Sequence, residues 1–239
     1  MTSLFFLSAF LAEVVGTVAG FGSSTIFLPL ALLFIDFKNA LVLVAFFHIM
    51  GNIGRIGFFR KGLNIELLIK FGVPSIFFTI VGALLVSLIT QNILKGILGI
   101  FLISYSLYSL WRKNFRIESS TPVVIVGGSL SGFLAGLIGT GGALRGAFLT
   151  GFGLTKEKYI ATAASIALAV DLTRIPVYLG QGFLENRYYW YLPILFVLAL
   201  LGSFTGKKIV KVFPYKIFRR IVLVSLLLVG LKFLFEWFV

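Results

Sequence analysis

The chain has 239 residues, 59% hydrophobic and only 12% charged, with a mean hydropathy of +1.07 and a formal net charge of +13. A soluble domain carries about 25% charged residues, so the composition excludes one and describes a single membrane domain over residues 1–239. The chain has no cysteine and one histidine, His48. That excludes disulfides, thiol chemistry and Cys-ligated zinc, and argues against a His-based metal site.

Most Lys and Arg residues sit in short runs between apolar spans. That is how positive charge orients a membrane protein, and it points to a lipid bilayer as partner and not to nucleic acid. No basic residue precedes the first apolar run, which argues against a cleaved signal peptide and lets the N-terminus lie outside the cytoplasm. The first apolar stretch covers 4–35 and is interrupted at 20–24. Helices are expected at about 38–58, 66–90 and 92–110. A polar linker at 112–121 follows. The second stretch covers 122–153, is interrupted at 139–142, and leads to helices at about 158–178, 189–206 and 216–238.

Sliding the chain by 119 positions places Gly20-Phe21-Gly22-Ser23 on Gly139-Thr140-Gly141-Gly142, Asn52 and Arg55 on Asp171 and Arg174, and Pro74 on Pro193. The chain thus reads as two repeats, 1–111 and 120–239. Each interrupted stretch would be about 48 Å long as one helix, too long for a ~30 Å hydrocarbon core, and its second arm of about 17 Å is too short to cross. Each is therefore expected to be a glycine-broken re-entrant hairpin that turns near mid-depth. Positive charge favours this reading. With two hairpins, fourteen Lys and Arg residues fall on one face and four (Lys38, Lys95, Arg187, Lys232) on the other. The rich face is then cytoplasmic and both termini are extracytoplasmic. A hairpin plus three transmembrane helices per repeat inverts the second repeat. The predicted fold is an all-α polytopic membrane protein of two inverted repeats, a recurring design of secondary transporters.

The glycine-rich breaks opening the two halves, the spacing to the helices that follow, and the Pro74/Pro193 pair resemble the sulfite exporter TauE/SafE family, also called the toluenesulfonate uptake family. The resemblance covers nearly the whole chain. It implies a bacterial inner-membrane transporter of small anions, with sulfite, sulfoacetate and other organosulfonates as substrates known within the family.

Backbone opened inside a bilayer must face protein or water. The breaks are therefore expected to line a cavity, where the helix leaving each turn presents free N–H groups and the positive end of its dipole to an anion. The residues expected to bind substrate are Gly22, Ser23, Ser24, Asn52, Thr140, Gly141, Gly142 and Arg145. Arg145 lies in the first turn after the second break, and its planar fork suits sulfite, a sulfonate or a carboxylate. The alternative is a salt bridge from Arg145 to Glu13 or Asp171. Asp171 and Arg174, spaced i, i+3, can pair directly, which is the alternative to Arg174 as an entrance charge. Arg55 and Arg174 are candidate entrance charges, with snorkelling as the alternative for Arg55. His48, Glu13 and Asp171 are candidate proton sites, with a structural hydrogen bond as the alternative for His48 and a counter-ion role toward Arg145 as the alternative for Glu13. Thr162 and Ser165 are weaker pocket candidates. Residues 188–191 read as an interfacial aromatic belt, and phenylalanine throughout as lipid-facing bulk.

The sequence shows no nucleotide-binding motif, no expected cofactor or metal, and no nucleophile–base pair at membrane depth. An enzyme is not expected. The reading is a secondary anion transporter coupled to a proton or sodium. An anion channel of the same architecture and a carrier of a small carboxylate stand as alternatives.

Overall fold

The computed structural model describes residues 2–19, 22–59, 62–111, 119–209 and 215–238. Among them run ten α-helices: α1 (Thr2–Ala19), α2 (Ser24–Ala31), α3 (Phe37–Phe59), α4 (Ile65–Leu85), α5 (Gln91–Trp111), α6 (Thr121–Ile138), α7 (Gly142–Gly151), α8 (Lys156–Gly180), α9 (Tyr191–Ile209) and α10 (Tyr215–Phe238). No strand occurs among the described residues. Seven helices, α3–α6 and α8–α10, are long and apolar enough to cross a membrane. The all-α polytopic class follows from the need of every backbone N–H in hydrocarbon to find a partner within its own segment. Most of the 112–121 linker, and Gly20 and Phe21 of the first break, lie outside the described residues.

Polar residues set the helix starts. The Asp36 carboxylate accepts the N–H groups of Lys38 (3.0 Å) and Asn39 (3.2 Å) ahead of α3. Asn64 caps α4 by accepting the Leu67 N–H at 3.1 Å. Its own N–H donates to the Thr162 hydroxyl on α8 at 3.0 Å. Thr162 thus fastens α4 to α8 and does not line the pocket considered below. Ser165 is half-buried and also outside that lining.

Both interrupted stretches double back. Phe5, near the start of α1, touches Phe27 on α2 (5.4 Å between ring centroids) and Phe34 just beyond it (6.3 Å). In the second half the Ser131 hydroxyl of α6 donates to the Gly141 carbonyl at 2.9 Å, and Gly127 lies under the Phe148 ring of α7. With eight residues α2 is about 12 Å long, and with ten α7 is about 15 Å, so neither spans a ~30 Å core. The reversals use positive φ at Gly22 (91°) and Gly139 (71°), a conformation open to glycine at little cost.

The helices pack through small residues, as in membrane interiors where apolar burial between helices offers little net gain. Gly128, Gly132 and Gly136 on α6 sit against the backbone of Phe71, Ser75 and Thr79 on α4, with no room for a methyl group. The Ser75 and Thr79 hydroxyls also donate across this seam to the carbonyls of Gly128 (2.9 Å) and Gly132 (3.0 Å). Gly202 and Gly206 of α9 meet Glu13 and Thr17 of α1 in the same manner, and Gly99 of α5 faces Gly230 of α10. Helices α3 and α8 pair at the centre, the α3 span being the most deeply buried of the seven.

These pairings exchange when the halves are exchanged: α1 with α9 answers α6 with α4, while α3 with α8 and α5 with α10 answer themselves. At an offset of 119, α1 and α6 begin and end in register. The Pro74/Pro193 match does not share that register. Pro74 lies mid-helix in α4, whereas Pro193 is in the first turn of α9. Ser75 backs Gly132 as Gly202 backs Glu13, so the exchange sets Ser75 on Gly202, 127 positions on. The difference arises in the longer α8–α9 connection at 181–190.

Phenylalanine is not merely lipid-facing. Phe5, Phe27, Phe37, Phe47, Phe71 and Phe233 are fully buried, and Phe27 and Phe47 pack at 4.8 Å in the core. The aromatic run divides as well: Tyr189 and Trp190 are exposed, while Tyr188 and Tyr191 are buried, Tyr191 packing on Phe5 and Phe6.

Candidate functional site

The two breaks meet. Thr25 at the start of α2 and Thr140 in the second break are both fully buried, and their hydroxyls share a 2.8 Å hydrogen bond. Beside them is a small cavity lined by Ser24 from the first break, Gly139, Gly141, Gly142 and Arg145 from the second, His48 of α3, and Asp171 and Arg174 of α8. Its volume of about 10 Å³ holds about one water molecule. As it stands, the cavity has no room for anything larger. A larger hollow of about 370 Å³ lies between α3 and α9, lined by groups such as Phe46, Phe47, Met50 and Pro193. No charged group lines it, so it offers nothing to hold an anion.

Neither α2 nor α7 has a side-chain cap at its N-terminus. First-turn N–H groups left uncapped there are donors for an anion. Arg145 is the fourth residue of α7 and 5% exposed. Among the described residues its guanidinium makes no ion pair and no side-chain hydrogen bond. The salt bridge to Glu13 or Asp171 is not formed: Glu13 pairs with Arg55, and Asp171 with Arg174 and His48.

Asp171 is a hub. Its Oδ1 accepts a hydrogen bond from Arg174 Nε at 2.9 Å and forms an ion pair with Arg174 Nη2 at 2.7 Å. Its Oδ2 accepts from His48 Nδ1 at 2.8 Å and makes a long 3.5 Å contact with the Asn52 amide. Arg174 is completed by the Ala135 carbonyl at 2.9 Å, and the Tyr178 hydroxyl donates to the Gly136 carbonyl at 2.5 Å. Arg174 therefore sits inside a fixed network, 1% exposed. A carboxylate that already pairs with arginine only accepts, so the His48 Nδ1 carries the proton in this bond. The other ring nitrogen, Nε2, is buried without a partner among the described residues. It faces Gly22, where an added Cβ would stand 2.8 Å away.

A second cluster adjoins the first. Glu13, fully buried in α1, accepts at Oε1 from Arg55 (2.7 Å), Ser203 (2.6 Å) and Thr17 (3.2 Å). Arg55 also donates to Asn52 at 2.8 Å. It turns inward and does not snorkel away. The Ser23 hydroxyl is buried and unpartnered among the described residues, while Ser24 reaches the cavity wall. Of the residues singled out from sequence, Ser24, His48, Gly141, Gly142, Arg145, Asp171 and Arg174 share the cavity lining, while Thr140 is outside it and bonds to Thr25. Asn52, Arg55 and Glu13 form the adjoining layer. Thr25, Tyr178 and Ser203 escaped sequence reading. Thr25 had a signal, its place beside a break; Ser203 had none.

Two short half-helices with uncapped N-termini, packed tip to tip inside a bundle of spanning helices, define a multi-pass membrane transporter. The sulfite exporter TauE/SafE family matches residues 5–233, and the chain belongs to that family. It is 25% identical over 233 residues to a probable membrane transporter protein of Methanocaldococcus jannaschii, covering 87% of this chain and 85% of that one. No solved structure matches the chain. The family resemblance read from the two breaks therefore holds, and the protein is a transporter and not an enzyme.

Proposed function

We propose that the protein is a secondary transporter that carries sulfite, sulfoacetate or another organosulfonate across the bacterial inner membrane by alternating access around the hairpin tips. The observation that carries this reading is Arg145. An arginine held in a membrane interior is costly and serves a function, and this one has no counter-ion of its own among the described residues. The family's printed description, a sulfite exporter, supports an oxyanion. The exchange of packing pairs between the halves supports reading them as inverted repeats. The asymmetry of positive charge supports extracytoplasmic termini. A bond between the tips and a cavity of one water's size favour a carrier over an open channel of the same architecture. The arginine fork also suits a small carboxylate, which remains the runner-up substrate class.

The test is flux of radiolabelled sulfite, sulfoacetate and a small carboxylate in proteoliposomes, for wild type and Arg145→Ala, with and without proton and sodium gradients. A hydrogen bond to a charged group contributes about 1.5–3 kcal/mol, so saturable flux at low substrate should fall roughly 10- to 100-fold in the variant. Equal flux in the two proteins would remove Arg145 from the site and the reading with it.

A further inference from the structure

His48, which lines the cavity, carries an unpartnered acceptor that no part of the anion reading above uses. His48 is 2% exposed, its Nδ1–H is taken by Asp171, and its Nε2 lone pair is left without a partner among the described residues. The first break faces that nitrogen with Gly22, so among the described residues no side chain from that break covers it. A simple anion such as a sulfonate brings acceptors only. It would satisfy Arg145 and the half-helix N–H groups, and would leave the buried nitrogen bare.

Charge agrees. The ionisable groups around His48 are Asp171 and Arg174 on α8, Arg55 on its own helix, Arg145 on α7, and Glu13 on α1 behind Arg55. The described part of the α1–α2 break, Gly22, Ser23 and Ser24, adds no ionisable group. Glu13 balances Arg55 and Asp171 balances Arg174, which leaves one positive charge, Arg145. A second proton on His48 would add a cation to a site already rich in guanidinium groups. One negative charge and one O–H donor, on the same small ion, would complete the site.

We propose that the transported ion is bound as a hydrogen oxyanion, with Arg145 holding its charged oxygens and its O–H donating to His48 Nε2. This rests on the anion-transport reading and narrows its substrate class to ions that carry a proton of their own, hydrogensulfite among them. His48 is then a specificity-determining residue. Proton and anion cross together because they arrive as one ion, with no separate proton path in the protein.

Calorimetry on the purified full chain tests this, with sulfite and methanesulfonate as probes, at a pH where dissolved sulfite is mostly the dianion. Titrations in two buffers of different ionisation heat count the protons taken up with each anion. Wild type should take up about one proton per sulfite and none per methanesulfonate, and should prefer sulfite by about tenfold or more. In His48→Gln that preference should shrink severalfold toward parity. Proton uptake with methanesulfonate as well would place the proton on the protein and overturn the inference. So would a sulfite preference that survives in His48→Gln, and in either case the anion-transport reading stands. The proton count needs only wild type, so it decides the question even if the variant fails to fold. Binding of neither anion by wild type would sink the transport reading and this inference together.

Discussion

Asp171 is the residue whose loss the structure prices most clearly. Asp171→Asn keeps the shape and removes the charge. The carboxylate now takes a hydrogen bond from Arg174 at 2.9 Å within a 2.7 Å ion pair, and one from His48 at 2.8 Å. An amide can present its oxygen to one of these neighbours only, and must turn its own N–H groups toward the other. Arg174, 1% exposed, would then keep the Ala135 carbonyl and no counter-ion. Breaking a buried pair from one side costs about 3–5 kcal/mol. For a chain of this length that is roughly 6–20 °C in melting temperature. Thermal unfolding of the purified protein in detergent, followed by tryptophan fluorescence, measures it. Adding Arg174→Leu to Asp171→Asn should recover at least half of the loss, because it removes the stranded charge. A single variant that melts within a degree or two of wild type would refute the assignment of Asp171 as the buried counter-ion. A double variant no better than the single would refute the stranded-charge mechanism.

Glycine substitutions should sort by their surroundings: Gly132→Ala drives a methyl into the α4 backbone and should cost about 1–3 kcal/mol, whereas Gly54→Ala points into open space and should be neutral or stabilising by up to about 1 kcal/mol. Parallel melts of the two variants check this, and equal effects would contradict the α4–α6 seam. Thr140→Val removes the bond between the tips. Such bonds average about 0.6 kcal/mol in membranes, so a Ser23→Cys reporter, in a chain with no other thiol, should label about threefold faster; an unchanged rate would mean the bond does not hold the tips. An alkaline phosphatase fused after the last residue should be active in cells and a green fluorescent protein there dark, and the opposite result would reverse the assigned orientation.

Much of this architecture is written in local pattern. The breaks at Gly22 and Gly139 are visible because glycine interrupts otherwise unbroken apolar runs, and the reversal follows from arm lengths alone. Asp171 with Arg174 is legible because i, i+3 neighbours share a helix face. What local pattern does not carry is partnership between distant segments. Glu13 meets Arg55 across 42 positions and Ser203 across 190, and nothing in their spacing announces it. The same limit explains why Arg145 could be named but its lack of a counter-ion could not: the absence of a partner is a property of the whole packing. The Pro74/Pro193 match failed for another reason. A fixed offset compares positions, and a longer α8–α9 connection moved the helices without leaving a mark in the apolar pattern. The phenylalanines were misjudged because a membrane protein's interior and the surrounding lipid favour the same side chains.

The likeness of the two halves is imperfect where it counts most. One half buries a glutamate, with a glycine as its counterpart in the other; that other half holds an arginine at its tip where the first has Ile26. If the halves trade shapes during transport, the outward-open and inward-open forms are not mirror equivalents. They expose different charged groups to different sides and therefore differ in free energy even with no ion bound and no gradient applied. An empty carrier of that kind would have a preferred side on which to wait, and its return step without cargo would be the part of the cycle most open to adjustment by mutations far from the ion.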